Sequence, residues 1–399
     1  MIIIISTCCL LSFSKRVKKT VTDSASIGSL ETGLVSIVTQ YYWVFFACVM
    51  ILAVAVRVWK FGSVPYGFNQ DEAMAALEGL SLANNGTDHY GMTYPVYFTA
   101  WVTSQMNVLL SYILVPFFKL FGPSIFVARL PLLLFSFISL YVIFRFSYRL
   151  FGKNAALAIL FVAAINPWQI MISRWALEAN LFPHFLLYGC YLIYLGFEKK
   201  KYIFYSMVLF GIAMYSYGIS YYLVPILLIT LCVYMIRIKY VKWYDVIACV
   251  GIYAAISWPI FAMMAVNFFK LNIIELPFMT IPFFEEGERM KDILFFSDGI
   301  LKQLGANFLC VVCIIFFQVE DSLWNSIPGV GPMYYIAIPL FTLGMALFID
   351  EFRNNESKRR NGIFVILTLF AAAFISGLIT NNANLNRINA IVFPMLFMI

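Results

Sequence analysis

An all-α fold, a polytopic transmembrane helical bundle, is what this sequence predicts, and three observations carry the prediction. First, 62% of its 399 residues are hydrophobic and 12% are charged, whereas soluble domains carry roughly 45–50% apolar and about 25% charged residues. Second, the apolar residues gather into runs long enough to cross a bilayer. Third, the 40 Phe and 24 Tyr suit lipid contact and membrane-interface belts. The net charge of +7 does not imply nucleic acid, because the basic residues stand in short clusters between apolar runs and not on one face.

The expected spans are 41–58, 129–148, 155–172, 181–197, 202–217, 219–236, 245–264, 334–349 and 363–380, with a last apolar run from Ile388 to Ile399. Met106–Phe118 is too short to span, which takes about 20 residues. Its polar neighbours Ser104, Asn107, Ser111 and Lys119 recur at near-helical spacing, the pattern of an amphipathic helix lying in the interface. Charge supports that assignment. With 106–118 off the list of spans, the cluster at Lys15–Lys19, Arg145/Arg149/Lys153, Lys199–Lys201, Arg237/Lys239/Lys242 and Arg353/Lys358–Arg360 share one side. The positive-inside rule puts that side, and the N-terminus, in the cytoplasm.

Four segments follow from this reading. Residues 1–40 are expected to be a cytoplasmic tail or a misplaced start. Residues 41–264 form a transmembrane module with a first outer loop at 59–128. Residues 265–333 form a second outer loop, and 334–399 are C-terminal spans, expected to be cut short. The eight cysteines make no disulfide framework, and the pair Cys310/Cys313 has no second pair and only two histidines in the chain to join it.

The chemistry is expected at the outer surface. No G-x-x-x-x-G-K-[ST] phosphate loop occurs, so energy comes from a gradient or from an activated lipid-linked substrate. In the first outer loop, Asn69 reads as the N-cap of a helix over 70–83 with Ala73, Ala76, Leu77 and Leu80 on its apolar face. Asp71 and Glu72 sit in its first turn. Such residues complement a helix dipole whatever else they do. They point about 100° apart and cannot share one task. The functional reading makes Asp71 a base for an acceptor hydroxyl, while Glu72 orients the helix or binds substrate. Asp88 and His89 follow in a loop, then Tyr94, as candidates for the rim of a pocket. Glu178 is an outward carboxylate from distant sequence that can converge with the first. Arg129, Arg174 and Arg387 are outward arginines, suited either to snorkelling or to a phosphate leaving group. The run Glu285–Asp292 reads as a solvated loop face. No ligand spacing compels a metal, although outward carboxylates can take a divalent ion. A transporter or lipid flippase is the alternative; its usual buried charges are scarce in these spans.

Several ordered pieces carry a resemblance. They are Asn69-Gln-Asp71-Glu72-Ala73, Tyr94-Pro95 before a short amphipathic helix, and Phe121-Gly-Pro-Ser-Ile-Phe-Val-Ala-Arg129-Leu-Pro131. Leu150-Phe-Gly152, Asn166-Pro-Trp168, Ser173-Arg174, Glu178 and the late Asn386-Arg387 complete the set. Together they resemble the GT-C superfamily, in particular glycosyltransferase family 39 and its bacterial relatives, which include protein O-mannosyltransferases and the lipid A aminoarabinose transferase. The resemblance implies a GT-C helical bundle in the cell membrane with an extracytoplasmic active site. It implies a polyprenyl-phosphate sugar donor and an acceptor that is protein, glycan or lipid. It implies catalysis at Asp71 with Glu72 beside it, and a second acidic position at Glu178, where relatives often have Asp. It implies that Arg387, with Arg129 and Arg174, holds the lipid phosphate.

Overall fold

The computed structural model describes residues 38–101, 104–285, 299–319, 329–354 and 357–399. Most of the expected tail at 1–40 and of the charge run at 285–292 lies outside the described residues.

The chain enters with helix α1 (Tyr42–Val58) and passes through a cap before it returns. The cap holds α2 (Gln70–Asn85), a two-stranded hairpin of β1 (Phe98–Ala100) and β2 (Ser104–Met106), and α3 (Leu109–Phe121). The bundle continues through α4 (Ile125–Phe151), α5 (Lys153–Ile165), the short α6 (Pro167–Ile172), α7 (Glu178–Gly196), α8 (Lys201–Ala213), α9 (Ser220–Arg237) and α10 (Trp243–Phe268). A second hairpin, β3 (Ile274–Leu276) with β4 (Met279–Ile281), precedes α11 (Ile300–Phe317), α12 (Ala337–Asn354) and α13 (Ser357–Ile379). The chain ends in α14 (Leu385–Ile388), one 3₁₀ turn and α15 (Val392–Met398). Among these, α4, α9, α10, α11 and Lys358–Ile379 of α13 are long and apolar enough to cross a membrane.

Local chemistry sets the boundaries. Ser124 caps α4 through the Val127 N–H, and Gly152, at φ +85°, breaks the chain before α5. The expected span 155–172 is two helices, because Asn166 caps a new one through Gln169 and Pro167 opens it.

Three expectations are corrected. The segment 265–333, read as an outer loop, contains the apolar helix α11. Asn307 of α11 donates to the carbonyls of Leu378 (2.9 Å) and Thr380 (2.5 Å), and Phe308 packs on Phe374, so α11 runs beside α13. Next, the polar stripe of the interfacial helix faces inward: Asn107 and Ser111 are buried, and Ser111 donates to the Ala75 carbonyl at 2.9 Å. A Cβ on Gly79 would lie 2.9 Å from that of Leu114, which is how closely α2 and α3 approach. Finally, the spans are not free of charge. Arg57 is fully buried at the end of α1 and donates to the carbonyls of Ala53, Ala163 and Ala164 and to the side chains of Ser136 and Gln169. Its positive charge is spread over fixed carbonyl dipoles, so it clamps α1 to α4 and to the α5–α6 junction.

Among the described residues, members of three basic clusters gather at one end of the bundle. Arg149 and Lys358 both pair with Glu198, Lys200 pairs with Asp245 at 2.7 Å, and Arg359 pairs with Glu351. The cap forms the opposite end.

Candidate active site

The cap is organised around a buried ion pair. Asn69 accepts the Asp71 N–H at 2.8 Å, while Glu72 accepts the Asn69 N–H at 3.2 Å, a complete capping box. The left-handed Gly86 closes the same helix. Glu72 then turns inward and is fully buried. Arg129 reaches it with Nε at 2.9 Å and Nη2 at 2.7 Å, and the Ala176 N–H donates to it at 2.7 Å. Asp71, one residue earlier, points to solvent. The expected divergence of the two carboxylates is therefore the observed one.

The buried face of α2 is not the expected apolar one. Glu72, Met74, Ala75, Glu78, Gly79 and Leu82 are buried, and Leu77 is exposed. Two glutamates turn inward because each finds donors there. Glu78 accepts the His89 N–H at 3.0 Å and lies 2.5 Å from His89 Nδ1. Burial pushes the Glu78 carboxyl above its ordinary value, against the lowering effect of the two His89 bonds. His89 thus anchors α2. Asp88 is buried and accepts the N–H groups of Tyr90 and Met92, which folds the loop locally. Tyr94 is half-exposed at φ +40°, its hydroxyl against Gly86.

Two of the three arginines, Arg129 and Arg174, are buried and bind other parts of the chain. Arg129 donates to the carbonyls of Pro65 (3.0 Å) and Gly67 (2.8 Å) as well as to Glu72. Arg174 donates to those of Val56, Trp59 and Val64. Burial, and then the nearby Arg129 charge, lower the Arg174 pKa. Both guanidinium groups are spent on fixing 56–67 to the bundle. Glu72 accepts from Asn69, Arg129 and Ala176, and so ties α2 to the same frame.

The backbone at the start of α7, where Glu178 stands, is tied to two other parts of the chain that carry expected residues. Glu178 opens α7, and its Oε2 accepts the Asn107 N–H at 2.6 Å. Asn107 in turn accepts from the Tyr97 hydroxyl and donates to that of Tyr221. Asn389 donates to the Ala179 carbonyl at 2.7 Å, tying the chain beside Arg387 to the first turn of α7. Arg387 donates to Thr380 Oγ1 at 2.8 Å and is half-buried. Glu72, the neighbour of the exposed Asp71, accepts the N–H of Ala176, two residues before Glu178. Sequence reasoning missed Asn107, Arg57 and Glu78. Asn107 stood in the polar stripe of a helix expected to lie in the membrane interface; nothing local marks the other two.

A further tie joins the two expected outer segments. Thr280 of β4 donates its N–H to the Tyr94 carbonyl (3.2 Å) and accepts the Val96 N–H (3.0 Å), and its hydroxyl bonds the Thr93 carbonyl. Among the described residues, no group of three or more His, Cys, Asp or Glu side chains is placed to hold a metal ion.

Residues 107–261 match the family described as dolichyl-phosphate-mannose-protein mannosyltransferase. Comparison with curated proteins gives no match. Among solved structures, the chain is similar to ArnT from Cupriavidus metallidurans bound to undecaprenyl phosphate, with TM-score 0.59 and 14% identity over 90% of this chain and 59% of that one. It is also similar to the archaeal oligosaccharyltransferase AglB from Archaeoglobus fulgidus, in complex with an inhibitory peptide and a dolichol-phosphate, with TM-score 0.52 and 13% identity over 90% of this chain and 50% of that one. The chain thus spans less than two thirds of the length of either protein. The partial family match and the shared architecture together identify the fold as that of the GT-C superfamily of membrane glycosyltransferases.

Proposed function

We propose that this protein transfers a sugar from a polyprenyl-phosphate donor to an acceptor hydroxyl at the capped end of the bundle, on the extracytoplasmic side. What supports the reading is that the backbone around Glu178 is tied to the helix that carries Asp71 by Glu72–Ala176, to the segment before α3 by Asn107–Glu178, and to the chain beside Arg387 by Asn389–Ala179. The undecaprenyl phosphate and dolichol-phosphate of the similar structures support a lipid-phosphate donor.

The donor enters sideways from the bilayer with its phosphate beside Arg387, whose charge neutralises the departing phosphate. Asp71, acting as the base, accepts the proton of the acceptor hydroxyl. The hydroxyl oxygen attacks the anomeric carbon as the bond from that carbon to the phosphate oxygen breaks, and the electron pair leaves with the phosphate. A single displacement of this kind inverts the anomeric centre. Glu178, fixed by the Asn107 N–H, orients the acceptor. The lipid-phosphate bond supplies the activation, so no nucleotide is needed at that surface.

The test is a transfer assay in membranes containing the protein, with radiolabelled polyprenyl-phosphate sugars as donors. Label should enter a new product, and Asp71→Asn should abolish this while leaving the protein inserted. Normal turnover by that variant would remove Asp71 from the mechanism.

A further inference from the structure

A cavity lies at the other end of the bundle. It stands between α9 and α10, is floored by α7 and α8, and measures about 370 Å³. Its walls include Met207, Leu228, Leu231, Cys249 and Tyr253, and Asp245 stands at one end. From Asp245 to Tyr253 the slot runs about 12 Å along α10, at 1.5 Å per residue. That shape takes one hydrocarbon chain and excludes a polar headgroup.

The mouth has the opposite chemistry. Asp245 is neutralised there by Lys200 Nζ at 2.7 Å and accepts the Lys242 N–H at 2.8 Å. Lys199, Lys201, Arg237, Lys239 and Lys242 are exposed around it. Trp243 and Tyr244 are also exposed, 73% and 61%, and mark the membrane–water boundary at this end. An apolar slot that opens at a headgroup-level basic cluster matches a molecule with one buried chain and an anionic head.

We propose that the α9–α10 cavity binds an anionic glycerophospholipid of the adjoining leaflet, one acyl chain in the slot and the phosphate against Lys239 and Lys242. The head stands at the basic end, so the site is separate from that of a donor whose phosphate lies beside Arg387.

The test is native mass spectrometry of the full protein in mild detergent, with phosphatidylglycerol or phosphatidylcholine of identical chains. One phosphatidylglycerol should be retained. Lys239→Ala with Lys242→Ala should lower the preference over phosphatidylcholine about tenfold or more, since each cation near a headgroup layer contributes about one kcal/mol. Leu228→Trp, which fills the slot, should abolish retention of both lipids. If that variant fails to fold, the thermal midpoint of the wild type decides the matter: it should rise with phosphatidylglycerol and not with phosphatidylcholine. Equal retention of the two lipids, or retention of a polyprenyl phosphate in their place, would overturn the proposal.

Discussion

Asp71 and Glu72 are neighbours in the chain and opposites in the structure, and their variants should separate. Glu72 shares a buried ion pair with Arg129. Removing one partner leaves an uncompensated charge inside the cap, at a cost of about 3–5 kcal/mol. Glu72→Gln should therefore lower the thermal midpoint of the purified protein markedly, as followed by a thiol-reactive or tryptophan signal. Asp71→Asn, at an exposed position, should lose transfer with a smaller fall in the midpoint than Glu72→Gln. Glu78 makes a prediction in pH. Its carboxyl is raised by burial in the folded state, so the native protein holds that proton more tightly than the unfolded chain. Stability is then lost as pH rises from the ordinary carboxylate range through the raised value, and not as pH falls. Melting curves from about pH 4 to pH 7 should show this slope, and Glu78→Gln should flatten it. A wild-type midpoint that climbs over the same window would contradict the direction.

At the scale of elements, α2 is instructive because its ends were legible and its face was not. Asn69, Glu72 and Gly86 act on backbone groups within four residues, so the helix can be read from local chemistry. Its buried face depends on Arg129, Ala176 and His89, which sequence does not place beside it. Hydrophobicity therefore put Leu77 on the packed face, where it is in fact exposed, and left the buried Glu78 unmarked. The helix α11 escaped for a related reason: its first two turns carry Lys302, Gln303 and Asn307, and Asn307 is satisfied by carbonyls of α13. The contact of α2 with α3 gives a test. A Cβ at Gly79 would lie 2.9 Å from Leu114 Cβ and 3.1 Å from the Ser111 carbonyl. Gly79→Ala should cost about 1–3 kcal/mol through overpacking, measured as a lower midpoint, with transfer reduced because α2 carries Asp71.

For the whole molecule, charge bookkeeping read the bundle correctly where it grouped Arg149, Lys200 and Lys358 at one end, since acidic partners gather them there. It did not reveal what Arg57, Arg129 and Arg174 bind, which is backbone carbonyls from segments far away in sequence. An arginine that faces water and one that pins a loop look alike in a sequence. Sidedness is open to direct measurement. A cysteine at Tyr66, fully exposed in the cap, should react with a membrane-impermeant maleimide in intact cells. One at exposed Lys199 should react only after the membrane is opened. Labelling in the reverse order would turn the proposed site to the cytoplasm.

The backbone pairing of Tyr94 and Val96 with Thr280 means that the two surface segments are not independent parts. A chimaera that exchanges one of them with a homologue would leave both edges of that pairing to find new partners, while an exchange of both together keeps the seam. Substrate preference in such proteins would then be inherited in blocks, and libraries that shuffle the two segments jointly should yield more folded members than libraries that shuffle them one at a time.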